Sequence, residues 1–480
     1  MYNYVWFRSD LRIADNPALW HSLNANPAQQ TRGLFCITIQ QWRKHNWGDN
    51  KISFVLQSLY ELQNDLATLN IELIIRESNT FKDCAKDIVK FLNSNKASNL
   101  YYNIEYELNE NLRDQKIASA LKSTNIKIHP FHDQCLIPPG IILNKNKSPY
   151  SIFTPFKASC YKYLHKHPVK LYPTPKAQNC ITPTAKINQQ HIDFFRTNPI
   201  LKFWPSYKAH VVKRLKLFCG SKIASYKEKR DFPAESVTST LSPYLACGRI
   251  SVRECFNAAI ATNKNEFDTG NQSVICWINE LLWRDFYKQI IFHYPNICKG
   301  INYNRKYDKL KWSKNLELLT DWQRGETGIP IIDAAMRQLI QTGWMHNRLR
   351  MIVAMYLTKN LLIDWREGEH FFSQHLIDLD FASNNGGWQW SASTGTDAAP
   401  YFRIFNPVEQ SLRFDPEGKF IKKFCPELAK VPLASLHDPS ASLSPKELAN
   451  LNYPQRNVDL SETRKRALAY FKAAINNSNL

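Results

Sequence analysis

Glycine is scarce in this chain, 15 residues in 480, and nowhere does it form G-x-G-x-x-G. That absence excludes a dinucleotide fingerprint, whose glycines let the backbone approach a pyrophosphate. The eleven Cys include no C-x-x-C pair and no zinc-site spacing, so they read as reduced thiols. No apolar run reaches the length of about 18 residues that a membrane span needs. Arg8, Asp10 and Arg12 interrupt the N-terminal segment where a secretory leader would need an unbroken apolar stretch. The expected compartment is the cytoplasm. Acidic residues are short too, 42 Asp and Glu against 62 Lys and Arg, for a formal charge of +20 and a pI near 9.4. The imbalance points to a polyanionic partner, nucleic acid before acidic membrane. There is no internal repeat and no heptad run long enough for a coiled coil.

What is present indicates a globular protein: 44% hydrophobic residues and enough chain for two or more domains. Charge is unevenly spread. Residues 140 to 220 hold 14 Lys or Arg against one acid, Asp193, so 13 of the 20 net charges lie there. Short apolar runs recur at 4–7, 33–39, 71–77, 100–106 and 126–131, separated by helical patterns such as the one from Ser53. The alternation predicts an α/β domain with a parallel, Rossmann-like sheet over 1–134. Residues 135–205, rich in Pro, Lys, Asn and Tyr, read as a long interdomain linker. From 206 to 480 the apolar spacing of three and four predicts a helical domain, and eight of the 13 Trp lie between 277 and 390.

Several stretches of that second domain carry candidate chemistry. "WINELLWRDFY" (277–287) is helical by pattern and flanks Glu280 with Trp277 and Trp283. Taken alone it reads more simply as a surface Glu280–Arg284 ion pair over a tryptophan core. "GWMHNRLRM" (343–351) sets Asn347 and Met351 on one helical face, an amide that can read a base edge and a soft filler for a flat ring, with Arg348 and Arg350 suited to phosphates. "TSTLS" (238–242) offers hydroxyls and backbone donors near a helix start. "IDLDFASNN" arranges Asp378, Asp380 and Asn384 around a turn, without the further ligands of a calcium loop; no metal is expected. In "SNNGGWQWSASTGTDAAPYF" (383–402), Gly386 and Gly387 are expected to break any helix and to let the backbone turn tightly, so that Trp388 and Trp390 diverge.

Together with "VWFRSDLRIADNPAL", "TSTLSPYLACG" and "GIPIIDAAMRQLIQTGWMHNRLRM", these motifs resemble, in order and spacing, the photolyase and cryptochrome family from Trp6 to about Pro426, most nearly its bacterial class I branch that acts on cyclobutane pyrimidine dimers. The resemblance implies light-driven repair: a photoexcited reduced FAD passes an electron to a flipped-out dimer, the cyclobutane ring splits and the electron returns. It implies FAD contacts from Tyr226, Thr238, Ser239, Leu241, Ser242, Trp277, Arg284, Asn347, Asp378, Asp380 and Asn384, with Asn384 facing the flavin N5. Glu280, Asn347 and Met351 would meet the lesion, Trp283 and Trp390 would pack on its rings, and Arg230 and Arg348 would hold phosphates of ultraviolet-damaged DNA. Trp388, Trp365 and Trp312 would form an electron-transfer chain. Asn109, Glu110, Cys298 and Lys299 match a folate pattern, implying 5,10-methenyltetrahydrofolate as antenna, with a deazaflavin or an empty site as alternatives. The protein is expected to be monomeric.

Three other readings compete. A (6-4) photolyase would carry His where Asn347 and Met351 stand. A signalling cryptochrome would replace Asn384 with Asp or Cys and extend well beyond the 54 or so residues that follow Pro426. A light-independent, Trp-rich DNA-binding protein is what composition alone supports.

Overall fold

The computed structural model describes residues 1–25, 29–179 and 187–476. Five strands, β1 (Tyr2–Trp6), β2 (Thr31–Ile37), β3 (Leu73–Glu77), β4 (Ala97–Asn103) and β5 (Lys127–Phe131), form one sheet in the order β3-β2-β1-β4-β5. Every pairing is parallel, with Val5 opposite Gly33 on one side and Tyr101 on the other. Parallel strands need crossovers, and helices supply them: α1 (Pro17–Asn24), α2 (Asp49–Ala67), α3 (Phe81–Ser94) and α4 (Leu108–Leu121). The apolar runs read as strands because both sheet faces are covered; Tyr4, Trp6, Leu34 and Leu100 pack with Ile88 and Leu92 of α3 in one core. Pro130 is tolerated in β5 because that strand is an edge.

The chain divides into two compact units, the first comprising Met1–Lys227, Ser239–Cys298 and Ile377–Ala382, the second Glu228–Thr238, Lys299–Leu376 and Ser383–Leu480. The segment expected as a linker contains regular structure: α5 (Phe153–Lys166) and a helix at Gln189–Arg196. Pro and Lys dominate its composition, yet Phe153, Phe156, Cys160 and Leu164 recur at helical spacing and are buried. Residues 180–186 of it, Cys180 included, lie outside the described residues. The remaining helices of the first unit are α6 (Lys208–Leu217), α7 (Ser242–Cys247), α8 (Val252–Ala261) and α9 (Gln272–His293). Phe156 packs on Phe286 of α9 at 5.3 Å, and the Asp285 carboxylate accepts from the Leu136 and Ile137 amides at 2.7 and 3.2 Å. At the end of α7, Gly248 has φ +71 and passes so close to the loop after β1 that a Cβ there would sit 2.3 Å from the Ser9 carbonyl oxygen.

In the second unit lie α10 (Pro330–Thr342), α11 (Asn347–Met355), α12 (Trp365–His375), most of α13 (Phe381–Ala392) and α14 (Leu460–Asn476). Here the structure corrects the sequence reading: α13 runs unbroken through Gly386 and Gly387. Glycine costs a helix roughly 1 kcal/mol per residue relative to Ala, and the neighbouring side chains offset it. Gln389 is 1% exposed, accepts from the Tyr303 amide at 2.9 Å and donates to Asn385 Oδ1 at 2.8 Å, while Trp388 is 2% exposed. Trp388 and Trp390 diverge because two residues of helix span about 200°, not because the backbone turns.

A buried ionic cluster ties the first unit together. Asp133 accepts from Arg12 Nη2 at 2.5 Å and Arg253 Nη2 at 2.7 Å, and Asp15 accepts from Arg253 Nε at 2.9 Å and Ser251 Oγ at 2.5 Å. Burial alone would raise the Asp133 carboxyl, but the two guanidiniums pull it below the ordinary range. Removing the shared acceptor leaves buried Arg12 without its carboxylate and Arg253 with Asp15 alone, so Asp133→Ala is expected to cost about 3–5 kcal/mol, read as a shift in the urea midpoint, whereas Asp133→Asn, which keeps one acceptor, should cost less.

Candidate functional site

Within the first unit, α9 sets Glu280, Arg284 and Lys288 on one stripe at i, i+4 and i+8. Glu280 and Arg284 are half-buried, and the Arg284 guanidinium donates to the Gln134 carbonyl. Lys288, which the sequence reading passed over although it continues the same spacing, is 3% exposed; its ammonium reaches Asp380 Oδ2 at 2.7 Å and Glu107 Oε1 at 3.2 Å. Burial disfavours that charge, but the two carboxylates hold the ammonium protonated, raised above its ordinary value. Asp378 is buried. Trp277 packs at 4.9 Å on Phe218, which meets Tyr226 edge-on at 5.9 Å. Trp283 is stacked on Phe153 at 3.8 Å.

The hydroxyl cluster before α7 is held in an uncommon backbone shape. Thr240 has φ +49, a left-handed conformation that a β-branched residue rarely adopts. Its hydroxyl donates to the Ser239 carbonyl at 2.8 Å and accepts from Arg214, while the Leu241 amide donates to Ser239 Oγ at 3.4 Å. Leu241 is buried and Ser242, first residue of α7, is exposed. Thr238 is half-buried and belongs to the second unit.

In the second unit, Asn347 is the first residue of α11 and exposed, with Met351 half-buried one turn on. His346 caps that helix, its Nδ1 accepting from the Arg348 amide at 3.2 Å; burial pushes its imidazole down to about 4, so it is neutral. The Arg348 guanidinium is engaged by Asp231 at 2.8 Å and lies 4.4 Å over the Phe414 ring; Arg230 Nε is 3.8 Å from Asp231. Asn384 is buried, and its amide nitrogen donates to the Glu369 carbonyl at 3.2 Å and Ser373 Oγ at 3.1 Å. Those two acceptors fix the amide and leave Oδ1 as its acceptor end. Around Gly387 the helix surface is open.

The three tryptophans expected to form a chain fall in this unit. Trp388 lies against α12, where a Cβ at Gly368 would come 2.1 Å from its ring; it also packs edge-on to Phe372 at 5.0 Å and Trp322 at 6.0 Å. Trp365, fully buried, stands three residues before Gly368 on the same helix and donates to Asn302 Oδ1 at 3.0 Å. The Ser313 amide donates to the Leu362 carbonyl at 2.7 Å and Ser313 bridges Ile363, which draws the half-buried Trp312 toward the segment leading into Trp365. Trp322, equally buried beside Trp388, has no distinguishing sequence signal.

The residues expected to hold an antenna are partly gathered in the first unit. His45 Nε2 lies 3.0 Å from Asn109 Nδ2 and His45 Nδ1 3.3 Å from Glu110 Oε1. Glu110 also lines a cleft at the carboxyl ends of β1 and β2, with Arg8, Trp42 and Arg113, beside the point where strand order reverses between β1 and β4. Cys298 is half-buried, its thiol pushed up to about 12 by burial, and Lys299 is exposed and falls in the second unit.

Comparison with known proteins places this geometry in context. Residues 3–176 match the family model for DNA photolyase, and residues 277–473 that for the FAD binding domain of DNA photolyase. A deoxyribodipyrimidine photo-lyase of Escherichia coli K12 is 41% identical over 472 residues, covering 98% of each chain. Among solved structures, a bacterial class III photolyase from Agrobacterium tumefaciens superposes with a TM-score of 0.86 at 30% identity, over 98% of this chain and 97% of that one. An archaeal photolyase from Sulfolobus tokodaii, solved with two FAD molecules, gives 0.82 at 30% identity over 98% of this chain and all of that one.

Glu369, beside Asn384, was not singled out by sequence because half its role is played by a backbone carbonyl. Its carboxylate accepts from Asn385 Nδ2 at 2.8 Å, and burial pushes it up to about 7 against an ordinary 4.5. Between those values the folded protein binds the proton more tightly than the unfolded chain, so this carboxyl lowers stability as pH rises through the window. Glu369→Gln keeps the acceptor and removes the titration. Relative to the parent, the variant is expected to gain about 1–3 kcal/mol between pH 4.5 and pH 8; urea titrations at the two pH values measure it, and an identical difference at both would exclude the assignment.

Proposed function

The chain belongs to the DNA photolyase family, and from that premise we propose that it repairs cyclobutane pyrimidine dimers in ultraviolet-damaged DNA with light absorbed by FAD. The observation that carries the reading is the likeness to deoxyribodipyrimidine photo-lyase, which extends over 98% of the chain rather than over one domain. The donor set suits a flavin. In the first unit, Arg284 and the hydroxyls of Ser239 and Ser242 suit phosphates and buried Trp277 and Tyr226 supply flat apolar walls; in the second, Asn384 has a fixed amide oxygen suited to a ring N–H. When bound, a reduced flavin would supply light-driven one-electron transfer.

The chain's own residues do the rest. A dimer inside a duplex cannot reach a cofactor buried in protein, so it must be flipped out. Asn347 and Met351 then meet its base edge and ring, and Trp283 and Trp390 receive its flat faces. Glu280 hydrogen-bonds the carbonyl edge on which negative charge develops, an interaction that strengthens after the electron arrives. Asn347 and Met351 support the cyclobutane lesion over the (6-4) product, whose chemistry needs a proton-transferring His. Trp388, Trp365 and Trp312 would form a wire able to carry an electron from an external donor to a bound oxidised flavin. Asn109, Glu110, Cys298 and Lys299 hold a folate antenna, the division of labour follows 1–134, 135–205 and 206–480, and the enzyme works as a cytoplasmic monomer.

The test is blue-light repair of oligonucleotides carrying one defined lesion. Cyclobutane dimers are expected to disappear and (6-4) products to persist; loss of the latter overturns the assignment. Glu280→Ala should bind damaged DNA nearly as well as the parent but repair fewer dimers per absorbed photon; an unchanged yield would return Glu280 to a structural role. Trp388→Phe should retain fold and flavin and repair dimers once the flavin is reduced chemically, yet lose light-driven reduction of the oxidised flavin by an external donor, followed at the oxidised flavin band.

A further inference from the structure

Between Asp193 and Glu228 the sequence contains no acid and eight cations. The structure shows how they are disposed. α6 buries Val211 and Leu215 and turns the other side, with Lys213 and Lys216, to solvent. Lys208 begins the helix and Lys202 precedes it, both exposed. None of these four lysines meets a carboxylate among the described residues. Arg214, by contrast, is turned inward to Thr240 and His210 and belongs to the packing. Large rings stand among the charges: Phe203 is 44% exposed and Tyr207 47%. A merely solubilising face would mix the two signs of charge and hide such rings.

We propose that this face, formed by α6 and the turn before it, is a second nucleic-acid contact that grips the phosphate backbone of undamaged duplex, apart from the residues assigned above to the lesion. The inference rests on the reading that the chain acts on DNA. Lys208 to Lys216 spans eight residues, about 12 Å of helix, and a strand of duplex advances about 3.4 Å per phosphate, so the row faces three or four phosphates. Phe203 and Tyr207 supply apolar contact with sugars at one end. Such a contact reads no sequence; it holds the protein on DNA while lesions are sought.

The experiment compares Lys208→Gln/Lys213→Gln/Lys216→Gln with a triple of equal charge change on an exposed face elsewhere, Lys82→Gln/Lys86→Gln/Lys90→Gln on α3. Fluorescence anisotropy with undamaged duplex of about 20 base pairs gives affinity against salt concentration. The α6 triple is expected to flatten the slope of log K against log salt by about 2 to 3, roughly 0.9 for each phosphate no longer neutralised, and the α3 triple to leave it within about 0.5. Equal slopes in both variants, or none altered, overturn the proposal. So does a loss confined to vesicles of phosphatidylglycerol in phosphatidylcholine, which would make the face a membrane contact. Failure of the parent protein to bind DNA at all would instead remove the repair reading itself.

Discussion

The shared acceptance of two guanidiniums by one carboxylate, Asp133, is the constraint on which the rest of the first unit depends. Arg12 comes from the loop after β1, Asp133 from just beyond β5, and Arg253 from α8, so a single buried anion joins the beginning and end of the sheet to a helix more than a hundred residues away. A buried charge is expensive, and only the completeness of its pairing makes it tolerable. That completeness demands tight registry: Arg253 also donates to the Asp15 and Asp133 carbonyls, and Asp15 is locked by Ser251. Through α8 and the neighbouring turn at Gly248, the positions of Ser239 to Ser242 and of α9 become consequences of sheet geometry.

The second unit achieves rigidity by different means, around α13. A helix with two adjacent glycines is weak in isolation, and what secures it is the burial of Asn384, Asn385, Trp388 and Gln389. Gly368 on α12 provides the matching concavity; any side chain there would collide with the Trp388 ring. The same packing that stabilises the helix also brings Trp388 to the helix that starts at Trp365.

How much of this was legible in the sequence depends on the range of the interaction that decides it. The five strands were readable because a doubly covered parallel sheet writes itself as apolar runs, and their observed positions match those runs closely. The Gly-Gly pair misled because helix propensity is a local quantity and tertiary burial overrode it. Within the segment at 135–205, the Pro and Lys content hid one helix, although Phe153, Phe156, Cys160 and Leu164 keep helical spacing. Glu280, Asn347 and Asn384 each had an ordinary reading when taken alone, and only their order and spacing together pointed to chemistry. Glu369 and Ser373 gave no comparable signal, because what they do depends on partners distant in sequence or on a backbone carbonyl, and the spacing of Lys288 placed it on a face without revealing its partners Glu107 and Asp380.

The orientation of Asn384 shows why such residues matter. A free amide can present either end to a neighbour, and the wrong end toward a ring N–H would set donor against donor. Two acceptors, the Glu369 carbonyl and Ser373 Oγ, remove that freedom from the nitrogen side. Both come from α12, the helix that receives Trp388, so the amide and the Trp388 ring are referenced to one rigid element. Their separation therefore cannot drift independently of that helix. The orientation of the Asn384 amide and the seat of Trp388 are thus two products of one packing decision, made where α13 crosses α12 at a residue with no side chain.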